Sequence, residues 1–222
     1  MEEEELGLFF ELFIQAVDHV APAYFSTQYN FARGIVEDMA HRQHPIRRKI
    51  IGDAVVQTGE RIFCYELYHQ LRTLMAHHPQ VFQNVCLQGE LQKIQIVDLM
   101  ERYGLTRLSN NFIPDLLLHS PATAEFHPCV IEVKADRFLT VRKVRNDIAK
   151  ITEFITRYHY QRGIFLATII DREPLIENLI TQNPLLADIP HIQESAGNIF
   201  IVSKPEASAE IYHERLSNLL NF

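Results

Sequence analysis

The chain has 222 residues, 47% of them hydrophobic and 22% charged, with eight glycines and ten prolines. This balance excludes collagenous, low-complexity and broadly disordered chains and leaves a globular protein able to bury a sizeable core. The formal charge of −7 argues against wholesale nucleic-acid binding, which draws on Lys and Arg, yet residues 134–172 hold nine basic against four acidic side chains. That island suits a docking surface and a solvated helix face equally well.

Residues 5–20 carry Leu6, Phe9, Phe10, Phe13, Ile14 and Val17 at helical spacing, which predicts an amphipathic helix closed by Pro22. A short helix is expected around Phe31–His41. Residues 1–57 together read as an N-terminal helical extension, leaving 58–222 as the main domain. No apolar run is long enough to span a bilayer, since Leu6–Ala16 is interrupted by Glu11 and Gln15, and the four glutamates after Met1 are no signal-peptide start. A soluble, cytoplasmic protein without a membrane partner is the expectation. Cys64, Cys86 and Cys129 are odd in number and lack C-x-x-C spacing, which suits reduced core cysteines.

From Gly59 to His78 the positions Phe63, Leu67, Leu71, Leu74 and Met75 predict a long helix before Pro79. Strands are expected over Val85–Ile96, Phe112–Leu118 and Pro128–Ala135, then a second long helix over Val141–Tyr160 and a buried strand over Gly163–Ile170. Pro174–Thr181 reads as helix, Ile199–Val202 as a short strand and Glu206–Leu220 as a last amphipathic helix. The order of helix, three strands, helix and strand defines an α/β domain with a mixed sheet and one right-handed parallel crossover.

Two segments carry chemistry. Pro114-Asp115 lies in the apolar run Phe112–Leu118, and seventeen residues after Asp115 comes Glu132-Val133-Lys134 within Val130–Ala135. Side chains alternate along a strand, so Glu132 and Lys134 share one face of an otherwise apolar element. Buried charges need partners, and a carboxylate from a neighbouring strand plus a divalent cation would meet that need. Ser120-Pro121 and His127-Pro128 supply turn chemistry for a hairpin that brings Asp115 alongside. Hard oxygen ligands suit Mg²⁺ or Mn²⁺, and an adjacent ammonium suits a phosphate and an attacking water.

On Pro114-Asp115 and Glu132-Val133-Lys134 the chain resembles the PD-(D/E)XK nuclease superfamily, whose restriction-endonuclease-like core has the element order read over residues 59–170. The resemblance implies a Mg²⁺- or Mn²⁺-dependent hydrolysis of phosphodiester bonds, in DNA, with Asp115, Glu132 and the Val133 carbonyl as metal ligands and Lys134 assisting the attacking water. It also implies an acid on the first helix. Glu66 is taken for it, as the only acid between Glu60 and Glu90, with Glu90 after Gly89 as a rival that reads equally as a solvated turn residue. On the second helix Asp147 and Lys150 share a face and would touch metal-bound water or phosphate. Arg137, Arg142, Lys143 and Arg145 would grip the nucleic-acid backbone, and a homodimer is expected by analogy.

The second helix lacks the Gln-Tyr pattern of recombination nucleases. His77-His78, His119 and His127 have no ligand spacing, and phosphate-binding glycine loops are absent. The alternative function is a catalytically silent module that binds nucleic acid or protein on the same fold.

Overall fold

The computed structural model describes residues 1–25, 45–90, 104–121, 126–136 and 139–221, with side chains omitted for 45–58. Six strands form one mixed sheet in chain order: β1 (Cys86–Gly89), β2 (Leu116–His119), β3 (Cys129–Ala135), β4 (Arg162–Thr168), β5 (Ile199–Lys204) and β6 (Tyr212–Arg215). β1, β2 and β3 pair antiparallel, β3, β4 and β5 pair parallel, and β6 returns antiparallel on the edge.

Helices cover both faces because the central strands are apolar on both sides. One face packs against α1 (Glu3–His19) and α2 (Pro45–Met75) through Phe9, Phe13, Val17, Phe63, Leu67 and Leu71, which meet Ile131, Val133, Ile164 and Leu166. The other packs against α3 (Val141–Tyr158) through Val144, Ile148, Ile151 and Phe154, which meet Val130, Phe165 and Ile201. Helix α3 starts where Thr140 accepts a hydrogen bond from the Lys143 amide and ends on His159 in a left-handed conformation. It forms the crossover between parallel β3 and β4.

The expected helix–strand order over residues 59–170 matches the observed elements. Three differences bear on how the chain is divided into elements. The expected boundary at 57/58 falls inside the unbroken α2, and α1 lies within the sheet's own core, so residues 1–25 are integral to this body. Residues 206–220 are not one helix: β6 pairs with β5 from Tyr212 to Arg215, and only Leu216–Leu220 coil as one short helix. Pro174–Thr181 is helical but wound as a π-helix. The helix expected around Phe31–His41 and the strand's continuation past residue 90 lie outside the described residues. No helix among the described residues is long and apolar enough to cross a membrane.

Candidate active site

The β2–β3 ladder stops at Leu116 opposite Ile131, while β3 continues four residues to Ala135. Asp115 therefore stands immediately before β2 enters the sheet, and its Oδ2 accepts the Val133 amide at 2.7 Å. The carboxylate takes a donor that lies beyond the start of the β2 ladder. On the α3 side of the sheet, Glu132 is fully buried. Its Oε2 accepts from Lys150 Nζ at 2.7 Å. Lys134 Nζ donates to Glu60 Oε1 at 3.0 Å and to the Val133 carbonyl at 3.2 Å, and lies 3.6 Å from Asp147 Oδ2. Lys150 Nζ also stands 3.8 Å from Asp147 Oδ1.

Four carboxylates, those of Glu60, Asp115, Glu132 and Asp147, thus surround two ammonium groups. With all six ionised, the cluster carries −2, the charge that one divalent cation neutralises. Glu132 Oε1 and Asp147 Oδ2 are buried without a hydrogen-bond partner. Bare carboxylate oxygens in a low-dielectric interior are costly. This oxygen-only donor set fits Mg²⁺ or Mn²⁺. The side chains do not already stand as a cage: among the described residues, no three acidic, His or Cys groups converge in ligating geometry. The lysines hold the carboxylates instead.

The charges feel one another strongly. Burial, reinforced by Asp115, pushes Glu132 well above the usual carboxylate range against the pull of Lys150. Burial likewise raises Asp147 and Glu60, with Lys134 opposing both. Burial works against the charge of Lys134, but Asp147, Glu60, Asp115 and Glu132 together hold it above its ordinary value. Lys150 is raised too, Glu132 and Asp147 outweighing its own burial. Both lysines stay cationic at neutral pH, and the acids carry the strain.

The structure brings together Asp115, Glu132, Lys134, Asp147 and Lys150, five of the residues singled out in the sequence. The first-helix acid is a correction: the residue at the cluster is Glu60, while Glu66 accepts from Gln70 at 2.6 Å along the same helix. The signal was available, since Glu60 continues the apolar stripe of Phe63, Leu67 and Leu71 at spacings of three and four. Glu66 lies about 120° around the helix from Glu60. The rival Glu90 donates its amide to the Asp115 carbonyl, but its carboxylate pairs with Arg61 at 2.8 Å. The left-handed backbone is at Glu90 itself, with φ 47°, rather than at Gly89.

Of the basic island, Arg142 is exposed and Arg145 half-buried, whereas Lys143 pairs at 2.5 Å with the buried Asp136. Arg137 lies outside the described residues. His127 stacks on Tyr160, their ring centroids 4.8 Å apart, at the opposite end of β3. Compared with known proteins, the chain matches no family model, no curated protein and no solved structure.

Proposed function

We propose that the protein is a metal-dependent nuclease that hydrolyses phosphodiester bonds, with DNA as its substrate, on a restriction-endonuclease-like core. The observation that carries this reading is the buried cluster beside β2, where Asp115, Glu132, Glu60 and Asp147 surround Lys134 and Lys150 and two carboxylate oxygens have no hydrogen-bond partner. Support also comes from the core itself: one helix, three antiparallel strands, a second helix and a parallel fourth strand.

Asp115, Glu132 and Glu60 would hold the cation, joined by the Val133 carbonyl. Bound there, magnesium or manganese would polarise the scissile phosphate and make the attacking water more acidic. Lys134 reaches both Glu60 and the Val133 carbonyl, so its ammonium is fixed beside these ligands to orient that water and stabilise charge on the phosphoryl oxygens. Asp147 positions Lys134 and Lys150 from α3. Arg142 and Arg145, on the first turns of α3, supply cations for the nucleic-acid backbone.

Replacement of Glu132 by Gln or of Lys134 by Met should lower cleavage at least about a hundredfold with the fold intact. Mn²⁺ binding, followed by calorimetry, should be lost in Asp115→Asn and Glu132→Gln and weakened in Glu60→Gln, but kept in Glu66→Gln. Full cleavage by purified Glu132→Gln would sink the nuclease reading. One observation favours the silent-module alternative: both lysines are already engaged by carboxylates, as in a fixed ion-pair cluster. Such a module would bind DNA equally with and without EDTA and release no product.

A further inference from the structure

Lys150 and Glu132 form an unusual pair. The carboxylate is fully buried, yet only one of its oxygens is used: Lys150 Nζ sits 2.7 Å from Oε2, while Oε1 has no hydrogen-bond partner. A pair kept only for stability would be expected to satisfy both oxygens, because each bare one adds to the desolvation cost. The ammonium also has a second place to go. Asp147 lies one turn earlier on the same helix, its Oδ1 already 3.8 Å from Nζ while its Oδ2 faces Lys134 at 3.6 Å. The flexible four-carbon stem of lysine can move its head between two such carboxylates by rotamer change alone.

We propose that Lys150 is an internal latch on the metal site, holding Glu132 in the metal-free protein and moving onto Asp147 when a divalent cation takes Glu132. This rests on the metal-binding reading given above. Lys150 is then neither a metal ligand nor a nucleophile's partner but a competitor for the cation's place. Its effect is to hold down metal affinity in the free protein, because an arriving ion must displace a charge-assisted hydrogen bond. Lys134 engages two other groups that would hold the cation, Glu60 and the Val133 carbonyl, whereas Lys143, on the same helix as Lys150, pairs with Asp136.

The test is calorimetric titration of Mn²⁺, without nucleic acid, into wild type, Lys150→Met, Lys150→Gln and Lys143→Met, with melting curves of each in EDTA and in saturating Mn²⁺. Both Lys150 variants should bind Mn²⁺ about tenfold more tightly than wild type, the factor that one lost charge-assisted competitor implies. Lys143→Met, which removes the same charge from the same helix, should not. Both Lys150 variants should melt below wild type in EDTA and recover toward it in Mn²⁺, since the metal replaces the missing counter-charge on Glu132. Equal tightening in Lys143→Met would overturn the latch in favour of net charge. Unchanged or weaker affinity in the Lys150 variants, with wild type binding normally, would overturn it and leave the nuclease reading standing. Folded proteins that bind no Mn²⁺ in any form would bring down both.

Discussion

Glu132 is the residue on which the electrostatics of the molecule turn. Its native pKa lies well above the unfolded value of about 4.3, so folding takes up a proton in the interval between them. The folded form binds more protons than the unfolded one there, and stability conferred by the neutral acid is lost as pH rises. Wild type should therefore lose stability relative to Glu132→Gln as pH rises above about 4. Urea midpoints of the two proteins across that range measure the slope directly, and a difference independent of pH would show that folding leaves the titration of Glu132 unshifted. Saturating Mn²⁺ should flatten the slope, because a cation favours the ionised form. Asp115 shows how one residue answers two demands: its Oδ2 replaces a strand partner for Val133, and the same bond fixes its carboxylate at the cluster. Glu60 shows the limit of reading acids one at a time, since its place in the phase of the Phe63–Leu67–Leu71 stripe, not its isolation, aims it inward.

Among the elements, the packing of α3 on β4 is the tightest constraint. A Cβ at Gly163 would fall 2.1 Å from Cγ2 of the buried Ile151, so the helix lies against bare backbone at that point. Gly163→Ala should cost about 2 kcal/mol or more through overpacking. The cost should shrink markedly in an Ile151→Ala background, and a double-mutant cycle on urea unfolding measures that coupling. Additive losses would mean that the strand and helix part freely. Because Asp147 and Lys150 ride on this helix while Glu132 and Lys134 ride on β3 beside β4, the same contact sets the spacing of the ion-pair cluster. The edge strand β6 is the element that periodicity missed. Tyr212-His213-Glu214-Arg215 has little apolar content, and its strand state comes from the ladder that β5 offers. Charged, half-exposed residues on such an edge discourage pairing with other chains.

At the scale of the whole molecule, α1 is bound into the sheet's core. Leu6, Phe9, Leu12, Phe13 and Val17 are buried, the Phe10 ring lies tilted against Phe200 of β5 with centroids 4.5 Å apart, and Asp18 pairs at 2.5 Å with Lys204, which is itself fully buried. Five large side chains at about 2 kcal/mol each give on the order of 10 kcal/mol, comparable with the entire net stability of a typical domain. Deleting residues 1–20 should therefore abolish cooperative unfolding by circular dichroism instead of yielding a trimmed, stable domain. A deletion that still melts in one sharp transition would restore the extension reading.

The hydrophobic periods of 3.6 and 2 were enough to order the central elements from residue 59 to 170, and the alternation of β3 was enough to put Glu132 and Lys134 on one face. Those features depend on neighbours along the chain, so they are written in local sequence. The partners of that face were not. Glu60 comes from 74 residues before Lys134, and Lys150 meets Glu132 across the crossover that makes β3 and β4 parallel. The bare oxygens of Glu132 and Asp147 exist only once that packing has removed water from around them. The sequence by itself determined the strand and helix faces and the Asp115, Glu132 and Lys134 set. The tertiary structure alone decided which charges share the buried site, because burial and charge pairing are set by contacts between elements distant in the chain.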